Sequence, residues 1–125
     1  MLQQLPKWWR LVCLAHCIIA IIFGASYLFF PDVIVPMLGW AIIDPFVDRM
    51  LGGALLAMAW AHFLSSKETT AEKIIIPIQL YFIFDVFGTI LSLWSALSYS
   101  FLAGWMLVVI FGVFMVTYAM VIFKK

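Results

Sequence analysis

The sequence predicts an all-α polytopic membrane protein, an antiparallel four-transmembrane-helix bundle with a short outer-surface segment between the first and second helices. Three observations lead to this fold class: an extreme apolar composition, four apolar stretches of membrane-spanning length, and basic residues that collect on one side of a four-crossing topology. Because the chain is long enough for one domain and no more, we expect residues 1–125 to form a single four-helix transmembrane domain.

The composition indicates that lipid is the solvent. Of the 125 residues, 67% are hydrophobic and only 10% are charged, whereas a soluble domain is about 25% charged. A domain of this size keeps a large fraction of its surface exposed, so water could not surround so apolar a chain. The net charge of +1 and the lack of a basic patch interleaved with aromatic residues indicate no nucleic-acid partner.

Four apolar stretches have the length of about 20 residues that a helix needs to cross a bilayer. A polar loop, SSKETTAEK, separates the second from the third, and Pro77 occupies the first turn of the third, where its missing N–H costs little. The predicted spans are Trp9–Phe30, Phe46–Leu64, Ile74–Leu97 and Phe101–Phe123.

The basic residues predict the orientation. Four crossings leave only Arg49 on one side and place the other six on the opposite side: Lys7, Arg10, Lys67, Lys73, Lys124 and Lys125. Cytoplasmic loops are the ones that carry an excess of Lys and Arg. We therefore expect a multi-pass protein of the inner or plasma membrane with its N- and C-termini in the cytoplasm.

The segment between the first two spans is too short to cross again. Pro31 and Asp32 end the first helix, and we expect Asp32 to serve as the N-cap of a new turn. The stretch VIVPMLGWAII that follows predicts a short helix or hairpin that lies at the outer membrane surface.

Each span carries small residues at a spacing of three or four, which lets helix backbones approach closely in lipid. The predicted packing positions are Cys13, Cys17, Ala20 and Gly24 in the first span, Gly53, Ala57 and Ala61 with Gly52 beside them in the second, Tyr81, Asp85, Gly88, Ser92 and Ala96 in the third, and Gly104, Val108, Gly112 and Met115 in the fourth.

Asp85 is the polar residue that most needs an explanation. It falls on the small-residue stripe of the third span, about 16 Å from the inner boundary, and so is expected to face the bundle near the membrane midplane. Charge is costly there, so we expect a neutral acid that donates one hydrogen bond. Asp85 with Tyr81 and His16 is interpreted either as a proton-, cation- or ligand-binding site or as a structural hydrogen-bonding group.

The motif CLAHC raises the question of a metal or haem. Cys13, His16 and Cys17 share a helical face, and His62 lies at a similar depth on an antiparallel helix, so the two histidines could ligate a macrocycle. Three ligands within one turn close a tetrahedral site poorly, however, and zinc-type spacings are missing. We expect no metal and no cofactor here, with the thiols as packing residues and the histidines hydrogen-bonded.

A polar cluster is predicted at the outer surface. Arg49 lies near Asp32, Asp44 and Asp48, and a salt-bridged cap would tie the surface segment to the second helix. The alternative is that Arg49 and Asp32 take part in a binding site for a lipid headgroup or a small anion.

Three short motifs carry a resemblance to known proteins: FGASYLFFPD, RMLGGALLAMAWAHFL and AGWM. The pattern resembles small uncharacterised four-helix integral membrane proteins and is loosely similar to DoxX-like proteins. The resemblance implies a four-helix membrane fold and no particular activity. It maps onto Pro31, Asp32, Arg49, Gly52, Gly104 and Trp105, and Asp85 is not part of it.

The chain carries no catalytic triad, no paired carboxylates and no nucleotide-binding loop, so we expect no enzyme activity. The first hypothesis is a packing or binding module that works as a homo-oligomer or as a subunit of a larger membrane complex, and that binds lipid or another hydrophobic molecule such as a quinone or pigment. The second is a small proton-coupled transporter that uses Asp85. The third is a haem- or pigment-binding membrane subunit.

Overall fold

The computed structural model describes residues 4–40, 44–99 and 102–123, and these residues are almost all helical. A one-turn 3₁₀ helix, Ala71–Lys73, precedes the fourth helix. No β-strand occurs in the described ranges, so the predicted all-α class is confirmed. The α-helices are α1 (Trp9–Phe29), α2 (Pro31–Met37), α3 (Pro45–Ser65), α4 (Ile75–Tyr99) and α5 (Leu102–Ile122).

The long helices end within about two residues of the predicted spans, which is the usual uncertainty of helix boundaries. Proline sets several of these ends. Pro31 begins α2 directly after α1, and Pro45 begins α3 behind Asp44, whose side chain accepts a hydrogen bond from the Phe46 N–H at 2.9 Å. Pro77 lies in the first turn of α4, as predicted.

Among the residues that the structure describes, three helices are long and apolar enough to cross a membrane: Trp9–Phe29, Ile75–Ser98 and Leu102–Ile122. The helix α3, which corresponds to the second predicted span, is as long as α1 at 21 residues. It is less apolar than α1 because it contains Asp48, Arg49 and His62. The structure therefore supports a membrane protein with three membrane-capable helices.

The described part of the segment between α1 and α3 contains the helix α2 and no hairpin. The predicted N-cap at Asp32 is wrong: Phe30 precedes the helix, Pro31 is its first residue, and Asp32 follows inside the first turn. Proline is favoured at that first position because its φ angle is already helical. Gly39 follows the end of α2 and has φ 77°, a left-handed conformation that favours glycine. The rest of the predicted segment, residues 41–43, lies outside the described residues.

The chain divides into two compact units, one formed by residues 8–67 and the other by residues 1–7 with 68–125. In the second unit the Leu5 N–H donates to the Thr69 carbonyl at 2.8 Å, next to an isolated antiparallel bridge between Gln4 and Thr70. The single domain expected from the chain length stays a prediction.

Within the first unit, α1 and α3 run antiparallel along their whole length. At one end the Trp9 indole N–H donates to the Ser65 carbonyl at 3.0 Å. Near the other end Gly24 meets Gly52, and a small core of Cys17, Ala20 and Ala59 lies between, flanked by Phe63. The two 21-residue helices are therefore matched from end to end.

The contact at Gly52 brings two backbones together. A Cβ atom at this position would lie 2.5 Å from the Leu28 nitrogen and 2.7 Å from the Gly24 carbonyl oxygen. Backbone atoms cannot move aside as a flexible side chain can. Only glycine fits here, which is the small-residue packing expected of helices in lipid.

In the second unit α4 and α5 are also antiparallel. Tyr81 lies against Tyr118 with ring centroids 5.7 Å apart, and Phe82 against Phe123 at 6.0 Å. Towards the other end of the pair, a Cβ on Gly104 would come within 2.9 Å of the Ala96 Cα. Aromatic side chains thus fill one part of this interface and small residues let the backbones approach at the other.

The predicted packing stripes are confirmed in α1 and α4 and wrong in α3 and α5. In α3 the buried positions include Gly52 and Ala59, while Gly53 and Ala57 are exposed. Small residues occupy two faces of α3, so periodicity alone could not select one. In α5 only Gly104 of the predicted set is buried, because large residues make the contact: Leu107, Phe114, Tyr118 and Val121.

Two adjacent glycines give a matched test of the α1–α3 contact. We expect Gly52→Ala to lower the free energy of unfolding by about 1–3 kcal/mol, because the new methyl group collides with backbone atoms. Gly53→Ala is the control: a Cβ there has no neighbour within 4 Å, and alanine is the better helix former. Thermal or SDS-induced unfolding of the purified protein measures both. Equal stabilities of the two variants would contradict the observed interface.

Candidate functional site

Asp85 is completely buried on α4, with 0% of its surface exposed. The stripe formed by Tyr81, Asp85, Ser92 and Ala96 is buried along the same helix, so the inward position expected of Asp85 is confirmed. About 15 Å of helix separate Asp85 from the start of α4, which places it near the middle of a membrane-capable helix.

Aromatic hydroxyl groups are found close to the level of Asp85. Tyr81 precedes Asp85 by one turn on the same face of α4, and Tyr118 of α5 packs on Tyr81 and stacks on Phe114 with ring centroids 6.2 Å apart. Both tyrosines are buried. The α4–α5 pair thus combines a carboxyl group with two phenols in surroundings that are otherwise apolar.

Three serine and threonine hydroxyl groups in the helices bond to their own backbone. Thr89 Oγ1 donates to the Asp85 carbonyl at 2.7 Å, Thr117 Oγ1 to the Phe114 carbonyl at 2.8 Å, and Ser26 Oγ to the Ile22 carbonyl at 2.7 Å. Such bonds to the preceding turn satisfy a hydroxyl where no water is present. These three side chains therefore belong to their helices and are not needed for a site.

The α1–α3 pair brings the two histidines of the chain together. The imidazoles of His16 and His62 have ring centroids 4.0 Å apart and are inclined by 44°. Only 4% of His16 and none of His62 is exposed. His62 Nδ1 lies 2.8 Å from the Met58 carbonyl oxygen, and since a carbonyl can only accept, this nitrogen carries the proton.

The histidine pair does not have the geometry of a shared metal or haem site. Nitrogens about 2 Å from a common metal ion keep the two ring centroids about 5–6 Å apart, farther than the 4.0 Å observed. Cys13 and Cys17 are free and buried. Among the described residues no three His, Cys, Asp or Glu side chains are grouped so that they could hold a metal ion.

The outer polar cluster differs from the predicted salt-bridged cap. Arg49 is exposed and, in the parts of the chain that the structure describes, forms no ion pair with Asp32, Asp44 or Asp48. Asp44 instead caps α3, as described above, and Asp32 is exposed in the first turn of α2. One oxygen of Asp48, Oδ2, is buried without a hydrogen-bond partner. A binding role of Arg49 and Asp32 stays a prediction.

Two contacts were not found from the sequence. Trp9 is buried, with its indole N–H bonded to the Ser65 carbonyl at the end of α3. The general preference of a buried indole N–H for a partner was the signal available. The bridge between Gln4 and Thr70 had no signal, because it joins segments distant in sequence that have no strand pattern.

Comparisons with protein-family models, with curated proteins and with solved structures find no match to this chain. The resemblance to small four-helix and DoxX-like membrane proteins therefore stays a prediction. The candidate functional side chains are Asp85 in the α4–α5 pair and the two histidines in the α1–α3 pair.

Proposed function

We propose that the chain is a four-span membrane protein, in which α3 crosses the membrane together with α1, α4 and α5. The support is its contact with α1: two helices of equal length, matched from Trp9–Ser65 at one end to Gly24–Gly52 near the other, occupy the same depth. A helix of 21 residues is about 31 Å long, close to the thickness of the hydrocarbon core. Asp48 and Arg49 lie in its first turns, where they reach the interface.

The distribution of polar and apolar groups supports a lipid surrounding. Large apolar side chains are exposed along all four long helices, while Asp85, His16 and His62 are buried. Water would favour the reverse arrangement. The positive-inside rule, applied to the six basic residues on one side of four crossings, supports cytoplasmic termini in an inner or plasma membrane.

We propose that the protein acts as a non-enzymatic packing and binding module, a small subunit that associates with itself or with a larger membrane complex and holds lipid or another hydrophobic molecule. One observation carries this proposal: buried residues make up only 33% of the α1 span and 22% of each of the α4 and α5 spans. Each of these helices also exposes large apolar side chains, which lipid or partner helices must cover.

The outward face of α3 is the surface best suited to a partner helix. Gly53, Ala54 and Ala57 are exposed there, between the large side chains of Met50 and Trp60. A Cβ on Gly53 would meet nothing within 4 Å. Small residues at this spacing allow a second helix to approach closely in lipid, which supports self-association through α3.

A second candidate function, a small proton-coupled transporter, is favoured by the burial of Asp85. Acids inside a membrane are costly and mark proton or ion pathways in many transporters. The carboxyl group is the only acidic side chain between Ile75 and Ile122. In this proposal Asp85 takes up and releases a proton as the protein, acting as an oligomer, changes conformation.

The four-span topology predicts which loops face the cell exterior. In a background with Cys13 and Cys17 replaced by alanine, we expect Val33→Cys to react with a membrane-impermeant maleimide on intact cells, because α2 lies outside. Thr69→Cys should react only after the cells are permeabilised. Labelling of Thr69→Cys on intact cells would contradict the proposed orientation.

If the protein self-associates through α3, a leucine introduced on α3 should change the oligomeric state, whereas a leucine introduced on α5 should not. Native mass spectrometry in mild detergent is expected to show an oligomer of the parent protein with bound lipid, and Gly53→Leu should yield monomers. Gly112→Leu on α5 is the matched control, since a Cβ on Gly112 also meets nothing within 4 Å, and should stay oligomeric. A parent protein that is monomeric and free of lipid or partner would contradict the binding module.

The transporter candidate predicts that Asp85→Asn abolishes proton entry while the fold is kept, since asparagine has the same shape but cannot ionise. Proteoliposomes containing a pH-sensitive dye measure proton uptake driven by a potassium diffusion potential. Ser92→Ala, on the same buried stripe, is the control and should behave like the parent. Parent vesicles that acidify no faster than protein-free vesicles would eliminate this candidate.

A further inference from the structure

The contact between His16 and His62 is an unusual use of the only two histidines in the chain. Packing alone would be served as well by two apolar rings, which have no polar atoms to satisfy. Burying imidazoles instead carries a desolvation cost that only hydrogen bonding or a function offsets. The pair lies in the interface between α1 and α3.

The structure shows which ring nitrogen of His62 carries a proton when the imidazole is neutral. His62 Nδ1 donates to the Met58 carbonyl at 2.8 Å, so in the neutral imidazole the other nitrogen, Nε2, is the basic one. Imidazole is the side chain that can accept a proton at one nitrogen and release it from the other near neutral pH. His62 is therefore held in the tautomer that offers Nε2 to an incoming proton.

Buried polar groups continue from the histidines to the end of α3. Ser65 and Ser66 follow His62 by one turn and are buried, and they lead into the loop that begins at Lys67. The Ser65 carbonyl accepts the Trp9 indole N–H, and the Ser66 hydroxyl donates to the Phe63 carbonyl at 2.7 Å. Buried polar residues thus lie between the imidazoles and the loop in the sequence of α3.

We propose that His16 and His62 form a proton-binding pair that takes up one proton at a time from the loop end of α1 and α3. With centroids 4.0 Å apart, two imidazolium ions would repel each other strongly in low-dielectric surroundings. When one ring is charged, the other therefore remains neutral. The pair then behaves as a single coupled site.

Few other ionisable groups occur near the pair in sequence. On α1 the neighbours are the buried thiols Cys13 and Cys17, and no charged residue follows Arg10 in this helix. On α3 no charged residue follows Arg49. The other membrane-capable helices contain one acid, Asp85, so the Asp85→Asn variant is included below to measure any influence of that group.

Selective ¹⁵N-histidine labelling tests the proposal, because the chain has no third histidine. Solid-state NMR of the protein in lipid bilayers, from about pH 9 to about pH 4, follows both rings directly. We expect His62 in the Nδ1–H tautomer at high pH. As the pH falls, signals of both rings should shift together over a first step, and a second proton should enter at least about one pH unit lower.

Variants separate coupling from independent titration. His62→Gln keeps a side-chain N–H for the Met58 carbonyl but removes the second imidazole, so His16 should then titrate in one step. Asp85→Asn and a Cys13→Ala, Cys17→Ala double variant should each retain two steps. If His62→Gln does not fold, the titration of the parent protein still shows whether the two rings take up protons in two coupled steps.

Two results would overturn the proposal. In one, the parent rings take up their protons independently in the same pH range; in the other, neither ring takes up a proton over the whole range. The inference does not rest on the binding module, since the NMR titration requires neither a partner nor transport. Loss of the oligomer in the mass-spectrometry experiment would leave it unaffected.

Discussion

The close approach of two backbones at Gly24 and Gly52 is the constraint on which the α1–α3 unit depends. It brings the helices near enough for a core of small residues and sets their register, so that Trp9 reaches the Ser65 carbonyl and His16 meets His62. In lipid there is no hydrophobic gain from bringing apolar helices together, so this fit and the few interhelical polar contacts must supply the association. A larger residue at position 52 would separate the imidazoles as well as the backbones.

The polar groups in the middle of the long helices are mostly bonded to their own helix or buried. Thr89 and Thr117 donate to carbonyls of the preceding turn, and His62 donates to Met58. Asp85 is withdrawn entirely from the surface, while the outside of the helices is formed by large apolar side chains. This arrangement minimises the cost of polar atoms in hydrocarbon.

Sequence reasoning located the helices well because their ends depend on local signals, namely apolar length, Pro31, Pro45 and Pro77. It placed Asp85 on the buried face and the two histidines at similar depth for the same reason. Packing faces were less predictable. Gly52 and Gly53 are adjacent, and only the tertiary contact with Leu28 shows which one is enclosed. The outer cluster was misjudged because charges close in sequence were assumed to pair, whereas Asp44 bonds to backbone instead.

The depth of α3 in a bilayer tests the account most directly, since that helix is the one whose composition leaves its position open. Spin labels placed one at a time at the exposed positions Met50, Ala57 and Leu64 report contact with oxygen, which dissolves in lipid, and with a water-soluble nickel chelate. The account predicts the lowest nickel contact at Ala57, whether lipid or a partner helix covers that position, with nickel contact rising towards the two ends. Nickel contact that is equally high at all three positions would place α3 in water and contradict the four-span fold.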